Sequence, residues 1–584
     1  MVAVAEPDIY APEHVGHGAE GAEGTEHHAP KDQSLFGKYI LSTDHKQIGM
    51  NYMVTAFIFF LIGGLMAELM RVNLAQPGSA FLSPDAYNSL FTMHGTTMIF
   101  LFTIPMLIGG FTNFLMPMMI GAPDVAFPKL NTASYLLYPP GGILLMLSFL
   151  YGAPQAGWTS YPPISLQGPV GQSMWCIALI ILGASSTLGA INFLVTIVNM
   201  RTRGMRLTRM PLFVWAVLAT AVMVLVATPA LAGGLGSLFI ARTFNVPFFN
   251  FKNGGSVVLW QHMFWFYSHP AVYIMIIPGF GIISEIIPVF SRKPIFGYKA
   301  IAFSSVAIAL LGFLVWAHHM FTSPIQAWLQ IYFMLATMII AVPTGIKIFS
   351  WIATLYQGKV QLKTPLLFAL GFISTFVVGG ITGIMLGAVP VDLHEHATYF
   401  LVAHLHYVLF GGSVFTIFAG LYYWWPKITG RMLNERLGKW HFWLMYISFN
   451  ATFMPMHVIG LLGMSRRINT YAPEFAGTNL FISISSFVLT ASFLIFIWNA
   501  AQSLRHGEKA GANPWGARTL DWSTESPPMP HGNFHRQPVI TSGPYDFTVP
   551  APYFGEPRPE DEGVTPLPAL NERALRPKGF RKVS

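Results

Sequence analysis

Twelve apolar runs of about 20 residues divide most of this 584-residue chain. A helix of that length crosses the ~30 Å hydrocarbon layer of a bilayer. Because lipid offers the backbone no hydrogen-bond partners, runs this long favour membrane-spanning helices. The sequence therefore predicts an all-α integral membrane protein, a bundle of about twelve transmembrane helices. The predicted spans are 48–69, 90–120, 131–151, 172–199, 212–236, 256–289, 300–317, 325–356, 365–389, 399–424, 441–464 and 478–502.

Composition agrees with this fold class and excludes others. Only 10% of the residues are charged, against about 25% in soluble proteins. The net charge is +8, but the basic residues lie between the apolar runs rather than on one face, so no nucleic-acid partner is expected. The single cysteine, Cys176, lies in an apolar run and excludes both disulfides and a thiolate-rich metal centre.

The distribution of charge and proline predicts the orientation of the bundle in the membrane and the character of the two terminal segments. Loops after even-numbered spans hold 14 Lys and Arg residues, and loops after odd-numbered spans hold five, so both termini are expected inside. Residues 1–40 are predicted to be a polar inner tail, and 41–505 the twelve-helix domain. Residues 506–584 are rich in proline and are predicted to be an extended inner tail lying on partner subunits.

Six histidines lie within or at the ends of four spans, where ionisable side chains are costly and usually functional. Each one alone could be a neutral core histidine bonded to backbone, but six together favour a function. In the predicted orientation all six lie in the outer half of the membrane, which predicts a layer of metal sites there. They are His94, His269, His318, His319, His404 and His406.

Helix geometry divides these histidines among sites. At about 100° per residue, His404 and His406 point to opposite faces of one helix and cannot share a metal ion. They suit two iron porphyrins flanking that helix, with His94 completing a six-coordinate iron beside one of them. The other three form an imidazole-only site suited to copper. Tyr273 lies four residues after His269 on the same helix face, where a phenol could supply a proton and an electron.

Only three charged residues lie inside the predicted spans. Glu68 and Glu285 lie near span ends and are expected to reach the interface. Lys347 lies deeper, with Thr344 one turn before it. Ser284 lies at a similar inner depth on another span, which predicts a polar route for protons from the inner surface.

Five segments of the chain resemble subunit I of the heme-copper oxygen reductases, close to A-type cytochrome c oxidases. The segments are WQHMFWFYSHPAVYIMIIPGFG, WAHHMFT, VPTGIKIFSW, AHLHYVLFG and IGAPDVAFP. The resemblance extends in order over roughly 40–505. It implies a terminal respiratory oxidase that reduces O2 to water with electrons from cytochrome c and protons from the inside, coupled to proton translocation.

The resemblance also implies roles for individual residues. His94 and His406 would bind a low-spin heme iron and His404 a high-spin heme iron. Tyr273 would be the tyrosine cross-linked to the first copper histidine. The implied copper ligands are His269, His318 and His319. Arg71 matches the arginine beside the formyl group of the low-spin heme, which favours heme A. Trp265 matches a tryptophan beside the copper site, and Arg466 and Arg467 match a heme-binding pair. One implied proton path contains Lys347, Thr344 and Ser284, and a second begins at Asp124, Asn113 and Asn131.

Two departures from the family pattern bear on function. Ala271 stands where many members have glutamate, and Tyr267 and Ser268 lie one turn before it, as in a subgroup with a Tyr–Ser pair. His396 matches a magnesium site, but Ala397 replaces the usual aspartate, so a magnesium ion is only partly supported.

The sequence also implies partners and leaves alternatives. Because the chain lacks a two-cysteine copper site, a subunit II must deliver electrons, beside subunit III and other membrane subunits in a bacterial inner membrane. A quinol oxidase, or a nitric oxide reductase with non-heme iron in place of copper, are alternatives within the superfamily. A cofactor-free twelve-span transporter is the alternative from another class.

Overall fold

The structure is a computed structural model that describes residues 34–547. Residues 1–33 and 548–584 lie outside the described part of the chain. They include most of the predicted N-terminal tail and the end of the predicted C-terminal tail.

Helices dominate residues 34–547, in which no strand forms and only two isolated β-bridges occur. In this described part of the chain, eleven helices are long and apolar enough to cross a membrane, and a twelfth apolar helix is shorter. The predicted all-α membrane fold is therefore confirmed, with one short helix among the expected twelve. In chain order the helices are α1 (His45–Asn73), α2 (Pro84–Ile120), α3 (Pro128–Tyr151), α4 (Val170–Asn199), α5 (Leu212–Phe244), α6 (Val257–Ser291), α7 (Tyr298–Leu314), α8 (Ala327–Leu355), α9 (Thr364–Gly387), α10 (Tyr399–Thr429), α11 (Glu435–Leu461) and α12 (Pro473–His506).

The short helix is α7, and its end differs from the sequence prediction. Its last turn, Gly312–Leu314, tightens to a 3₁₀ helix. Val315 then interrupts the helix with a φ of −126°, and Trp316–Met320 form a separate 3₁₀ helix. His318 and His319 therefore lie on a turn beyond α7 rather than on a continuous span.

Two helices, α2 and α6, lie at the centre of the bundle. Their most apolar stretches are 94% and 89% buried, against 22% for the outermost helix, α8. The backbone of α2 widens into π-helical turns at Thr97–Thr103 and Pro105–Thr112, and α10 does so at Leu409–Val414. Such turns are rare and concentrate at functional sites. The first stretch of α2 begins within a turn of His94, and the stretch in α10 begins within a turn of His406.

The C-terminal tail packs on its own chain. Residues 507–547 run across one end of the bundle, and the backbone N–H of His531 donates to Asp44, just before α1, at 3.2 Å. We call this end, which the positive loops predict to be cytoplasmic, the inner face, and the opposite end the outer face. Trp424 of α10 donates to Asp521 of the tail at 2.8 Å. Side chains of the tail that are buried on this face include Leu520, Asp521, Trp522, Asn533, Ile540 and Tyr545. Contacts of the tail with partner subunits stay a prediction.

The expectation that Glu285 reaches the interface is wrong, because the tail covers it. Glu285 is 2% exposed. Its Oε1 accepts hydrogen bonds from the Tyr545 hydroxyl at 2.6 Å and from the backbone N–H of Phe213 at 3.0 Å. The same hydroxyl accepts from the N–H of Leu212 at 2.8 Å. The first N–H groups of a helix have no partners within it, so Glu285 and Tyr545 together cap α5.

The cap makes a stability prediction for Tyr545→Phe. Removing the hydroxyl leaves a buried carboxylate oxygen and a helix N–H short of partners, at a cost of about 1–3 kcal/mol. The thermal midpoint of the purified complex should fall by several degrees. Tyr151→Phe is the matched control, since Tyr151 is exposed and has no hydrogen-bond partner among the described residues. Equal midpoints for the two variants would contradict the cap.

Candidate functional site

Three imidazoles converge near the outer ends of α6 and α7. Nδ1 of His269 lies 3.2 Å from Nε2 of His319, and Nε2 of His318 lies 3.1 Å from that same atom. Two metal–imidazole bonds of about 2.0–2.1 Å, about 100° apart, separate their nitrogens by ~3.1 Å. The cluster therefore fits one metal ion. Within residues 34–547 it is the only group of three or more potential metal-ligating side chains whose ligand atoms all lie within 4.8 Å.

Neighbouring side chains orient two of these rings. Nδ1 of His318 lies 2.8 Å from the hydroxyl of Thr337 on α8, which leaves Nε2 for the cluster. Trp265 of α6 stacks on His319 with ring centres 3.7 Å apart and planes 14° apart. The indole N–H of Trp265 donates to the hydroxyl of Tyr161. Trp265 thus lies against the cluster, where the resemblance places it.

Tyr273 lies beside the third ring. It follows His269 by one turn of α6, with ring centres 4.7 Å apart and planes 68° apart. Nε2 of His269 is buried and has no hydrogen-bond partner among the described residues. On the other side, Gly312 packs so closely that an added Cβ would lie 2.9 Å from the Tyr273 ring. The phenol is therefore confined between α6 and α7.

A second arrangement of imidazoles joins α2 to α10. The rings of His94 and His406 have centres 6.4 Å apart and planes 14° apart. Each Nδ1 donates to a backbone carbonyl at 2.8 Å, that of Gly63 for His94 and that of Val402 for His406. Each Nε2 thus keeps its lone pair. Two metal–nitrogen bonds of about 2.0 Å, with ~1.1 Å from each nitrogen to its ring centre, span ~6.2 Å, so the pair fits one metal ion between the rings.

His404 points away from this pair. Its Nδ1 lies 3.1 Å from the hydroxyl of Thr382 on α9, and its ring edge packs on Gly383. The ring of His406 instead stacks on Phe453 of α11, with centres 4.2 Å apart. The two histidines therefore face different sides of α10, as their spacing predicts.

Three arginines toward the outer face have unused hydrogen-bonding capacity. Nη2 of Arg71 donates to the Asn479 carbonyl and the Ser483 hydroxyl, both at 2.9 Å, but its Nη1 is buried without a partner among the described residues. Arg466 and Arg467 form no ion pair with any described carboxylate. Burial, and repulsion from Arg467, lower the pKa of Arg466 to about 9. These groups fit a bound cofactor that carries carboxylates and a polar oxygen, as heme A does.

Lys347 is buried in α8 and bonds to α7. Its Nζ donates to the Ser305 hydroxyl at 2.6 Å and to the Ile301 carbonyl at 2.9 Å. Ser305 is not among the residues predicted from the sequence, although Ser304 and Ser305 are adjacent hydroxyl residues within an apolar run.

The other residues of the predicted lysine route do not bond to Lys347. Thr344 donates to a carbonyl of its own helix, and Ser284 of α6 accepts from the indole N–H of Trp351 at 3.0 Å. Trp351 follows Lys347 by one turn toward the inner face. Ser284 therefore lies one turn nearer the inner face than the lysine, which fits a route with successive steps rather than one continuous chain of side chains.

Asp124 lies in the loop between α2 and α3, on the inner face. Two further predicted residues pair nearby, because the Asn131 side chain donates to the Asn113 side chain at 2.8 Å. Burial, with the nearby charge of Asp44, raises the pKa of Asp124 to about 7. A carboxyl with such a pKa can gain and lose a proton at neutral pH.

Three predicted residues remain, two on α6 and one between α9 and α10. Tyr267 stacks on Phe100 with centres 6.2 Å apart, and the Ser268 hydroxyl is buried with no partner among the described residues. Both belong to the buried face of α6. His396 belongs to no multi-histidine group, and its Nδ1 lies 2.9 Å from a carboxylate oxygen of Asp392.

Comparison with known proteins adds an independent result. The profile of the family described as Cytochrome C and Quinol oxidase polypeptide I matches residues 47–488. The chain is 56% identical to cytochrome c oxidase subunit 1 of Synechocystis sp., over 88% of this chain and 93% of that protein. It is 54% identical to cytochrome c oxidase subunit 1 of Thermostichus vulcanus, over 89% and 94%. A cryo-EM structure described as a heme-copper terminal oxidase dimer shares the fold, with a TM-score of 0.66 at 17% identity, covering 80% of this chain and 85% of that one.

The fold and the histidine sites define a membrane oxidoreductase that uses heme and copper. The chain belongs to the cytochrome c and quinol oxidase polypeptide I family. It is the catalytic subunit of a terminal oxidase, a multi-pass membrane protein that works in a multi-subunit complex.

The packing at His404 yields a prediction for Gly383→Val. An added Cβ would lie 3.0 Å from Cε1 of His404, and such overpacking costs about 1–3 kcal/mol. The heme that the resemblance implies at His404 should then bind about tenfold more weakly, measured as carbon monoxide-binding heme relative to total heme. Gly380→Val is the matched control, because an added Cβ there meets nothing within 4 Å. Equal carbon monoxide binding in both variants would refute the role of this contact.

Proposed function

We propose that this chain reduces O2 to water between the three-imidazole cluster and the His404 side of α10. Electrons would come from cytochrome c on the outer side and protons from the inner side, with coupled proton translocation. The observation that carries this proposal is the convergence of three imidazole nitrogens at 3.1–3.2 Å beside Tyr273. The names of the two cyanobacterial relatives support cytochrome c as the donor.

The imidazoles divide into three metal-binding positions. His94 and His406 would hold the iron of a low-spin heme, and His404 that of a high-spin heme. The bound hemes and copper would supply the electron transfer and O2 reduction. This chain's part is to present Nε2 of each heme ligand in a set direction through the hydrogen bond at Nδ1. The proposed ligands of a single copper ion are His269, His318 and His319.

The arginines would anchor the hemes. The free Nη1 of Arg71 supports a hydrogen bond to a formyl oxygen, which is why we propose heme A. Arg466 and Arg467, which lack carboxylate partners among the described residues, would bind heme propionates. The buried positions of these cations make charge-assisted bonds stronger than they would be in water.

Tyr273 would supply a proton and an electron at the metal cluster. Nδ1 of His269 faces the other two imidazoles, so Nε2 is the nitrogen left for the proposed link to the phenol ring. Such a link would hold the hydroxyl close to the site at which O2 is reduced.

Two proton routes would lead from the inner face. Ser284, Thr344 and Lys347 form the first, and we add Ser305 because it bonds directly to the lysine. Asp124, Asn113 and Asn131 begin the second. Tyr267 and Ser268 would continue that second route at the place where many relatives have a glutamate.

The proposed assembly includes subunit II, subunit III and other membrane subunits in a bacterial inner membrane. A magnesium ion at His396 has less support, because Ala397 stands where the family usually has an aspartate. The bond between Nδ1 of His396 and Asp392 leaves Nε2 available to a metal. No observation favours the nitric oxide reductase alternative, or quinol over cytochrome c.

The purified complex tests the proposal directly. Metal analysis should find copper beside heme iron, and an O2 electrode should record turnover with reduced cytochrome c. Turnover with quinol alone would contradict the proposal that cytochrome c is the donor. Non-heme iron in place of copper would contradict the proposed O2-reducing site. A colourless protein would support the alternative function of a cofactor-free transporter.

Lys347→Met should block proton delivery. The variant keeps a side chain of similar length but removes the proton carrier, and a positioned proton-transfer group is worth about 10²-fold or more in rate. O2 consumption should fall by about that factor while the heme spectrum stays intact. Lys363→Met, at an exposed inner-loop lysine, is the matched control. Near-parental O2 consumption by the Lys347 variant would contradict the route.

A further inference from the structure

The C-terminal tail crosses the loop that carries Asp124. The side-chain amide of Asn533 donates to the Ala122 carbonyl at 2.7 Å, and that of Gln537 donates to the Gly121 carbonyl at 2.7 Å. These two carbonyls lie two and three residues before Asp124. The tail therefore bonds to consecutive peptide groups of the proposed proton-uptake loop.

Asn533 is a buried junction rather than a surface contact. It is 2% exposed, and its Oδ1 accepts from Nζ of Lys46 at 3.2 Å and lies 3.0 Å from Nε2 of His45. Nδ1 of His45 in turn donates to the Asn113 carbonyl at 2.7 Å. One tail side chain thus connects the Asp124 loop to Lys46 at the start of α1, where His45 bonds to the next residue of the proposed route.

We propose that Asn533 and Gln537 are positioning residues for proton uptake, which hold the loop 121–127 so that the Asp124 carboxyl stays enclosed. This inference rests on the proposed function, in which Asp124 begins a proton route. The packing of the loop supports it, since an added Cβ at Gly121 would lie only 3.2 Å from the Pro538 side chain of the tail.

Enclosure would set the proton affinity of the carboxyl. Burial raises the pKa of Asp124 to about 7, the charge of Asp44 raises it and that of Lys46 lowers it. The other titratable groups around the junction are His45 and, in the tail, His531. A loop released from the tail would expose the carboxyl, and its pKa would fall toward the ordinary value of about 3.9. The group would then be ionised at neutral pH and would pass protons inward more slowly.

The test uses the whole complex, purified and reconstituted in lipid vesicles. Asn533→Ala and Gln537→Ala are compared with His535→Ala, which lies between them and is exposed, bonding only to Glu525 at the surface. The alkaline decline of turnover should begin about one pH unit lower in both tail variants, so turnover at pH 8 should fall by up to about tenfold. The control should match the parent. A purely structural defect would lower heme content or thermal midpoint without moving the pH profile.

The outcomes separate the inference from the function on which it rests. Parental pH profiles for both tail variants would overturn the inference. If Asn533→Ala fails to assemble, Gln537→Ala decides, because it truncates an exposed side chain. Asp124→Asn is measured in parallel. If it lowers proton translocation while the tail variants match the parent, only the tail inference fails, whereas parental translocation would refute the uptake route itself.

Discussion

The imidazole side chain is the element on which this structure depends, because it is an uncharged metal ligand that can lie in the membrane interior before any metal binds. Carboxylate or thiolate ligands would leave negative charge in this medium whenever the metal is absent, and such a charge is expensive. Six histidines avoid that cost. They occur on the buried helices α2, α6 and α10 and on the 3₁₀ turn after α7. The central position of α2 and α6 follows from this, since the helices that carry ligands must surround the sites.

Hydrogen bonds to neighbouring groups decide which nitrogen of each imidazole is left to bind a metal. A hydrogen bond from Nδ1 to the carbonyl of Gly63 or Val402 leaves Nε2 of His94 and His406 free for metal. The Thr337 hydroxyl does the same for His318. The π-helical turns beside two of these ligands alter the direction of the following residues without breaking the helices. The helix bundle therefore holds the uncharged imidazole nitrogens in set directions.

The inner face follows a different rule, because charged side chains are common there and the tail covers or pairs several of them. Residues 507–547 bury Asp521, cap α5 through Tyr545 and Glu285, and bond to the loop of Asp124. A proline-rich segment with little regular structure is suited to this path, since most of its polar backbone groups stay free to bond with successive loops.

The sequence by itself determined the membrane fold, the candidate ligands and the separation of His404 from His406, because span length and helical period are local properties of the chain. Tertiary structure alone decided the early end of α7, the pairing of Lys347 with Ser305 and the burial of Glu285. The partner of Lys347 lies on another helix, and that of Glu285 lies in the tail 260 residues away. Helix rotation and tail path are set by packing between distant segments, which local sequence patterns do not encode.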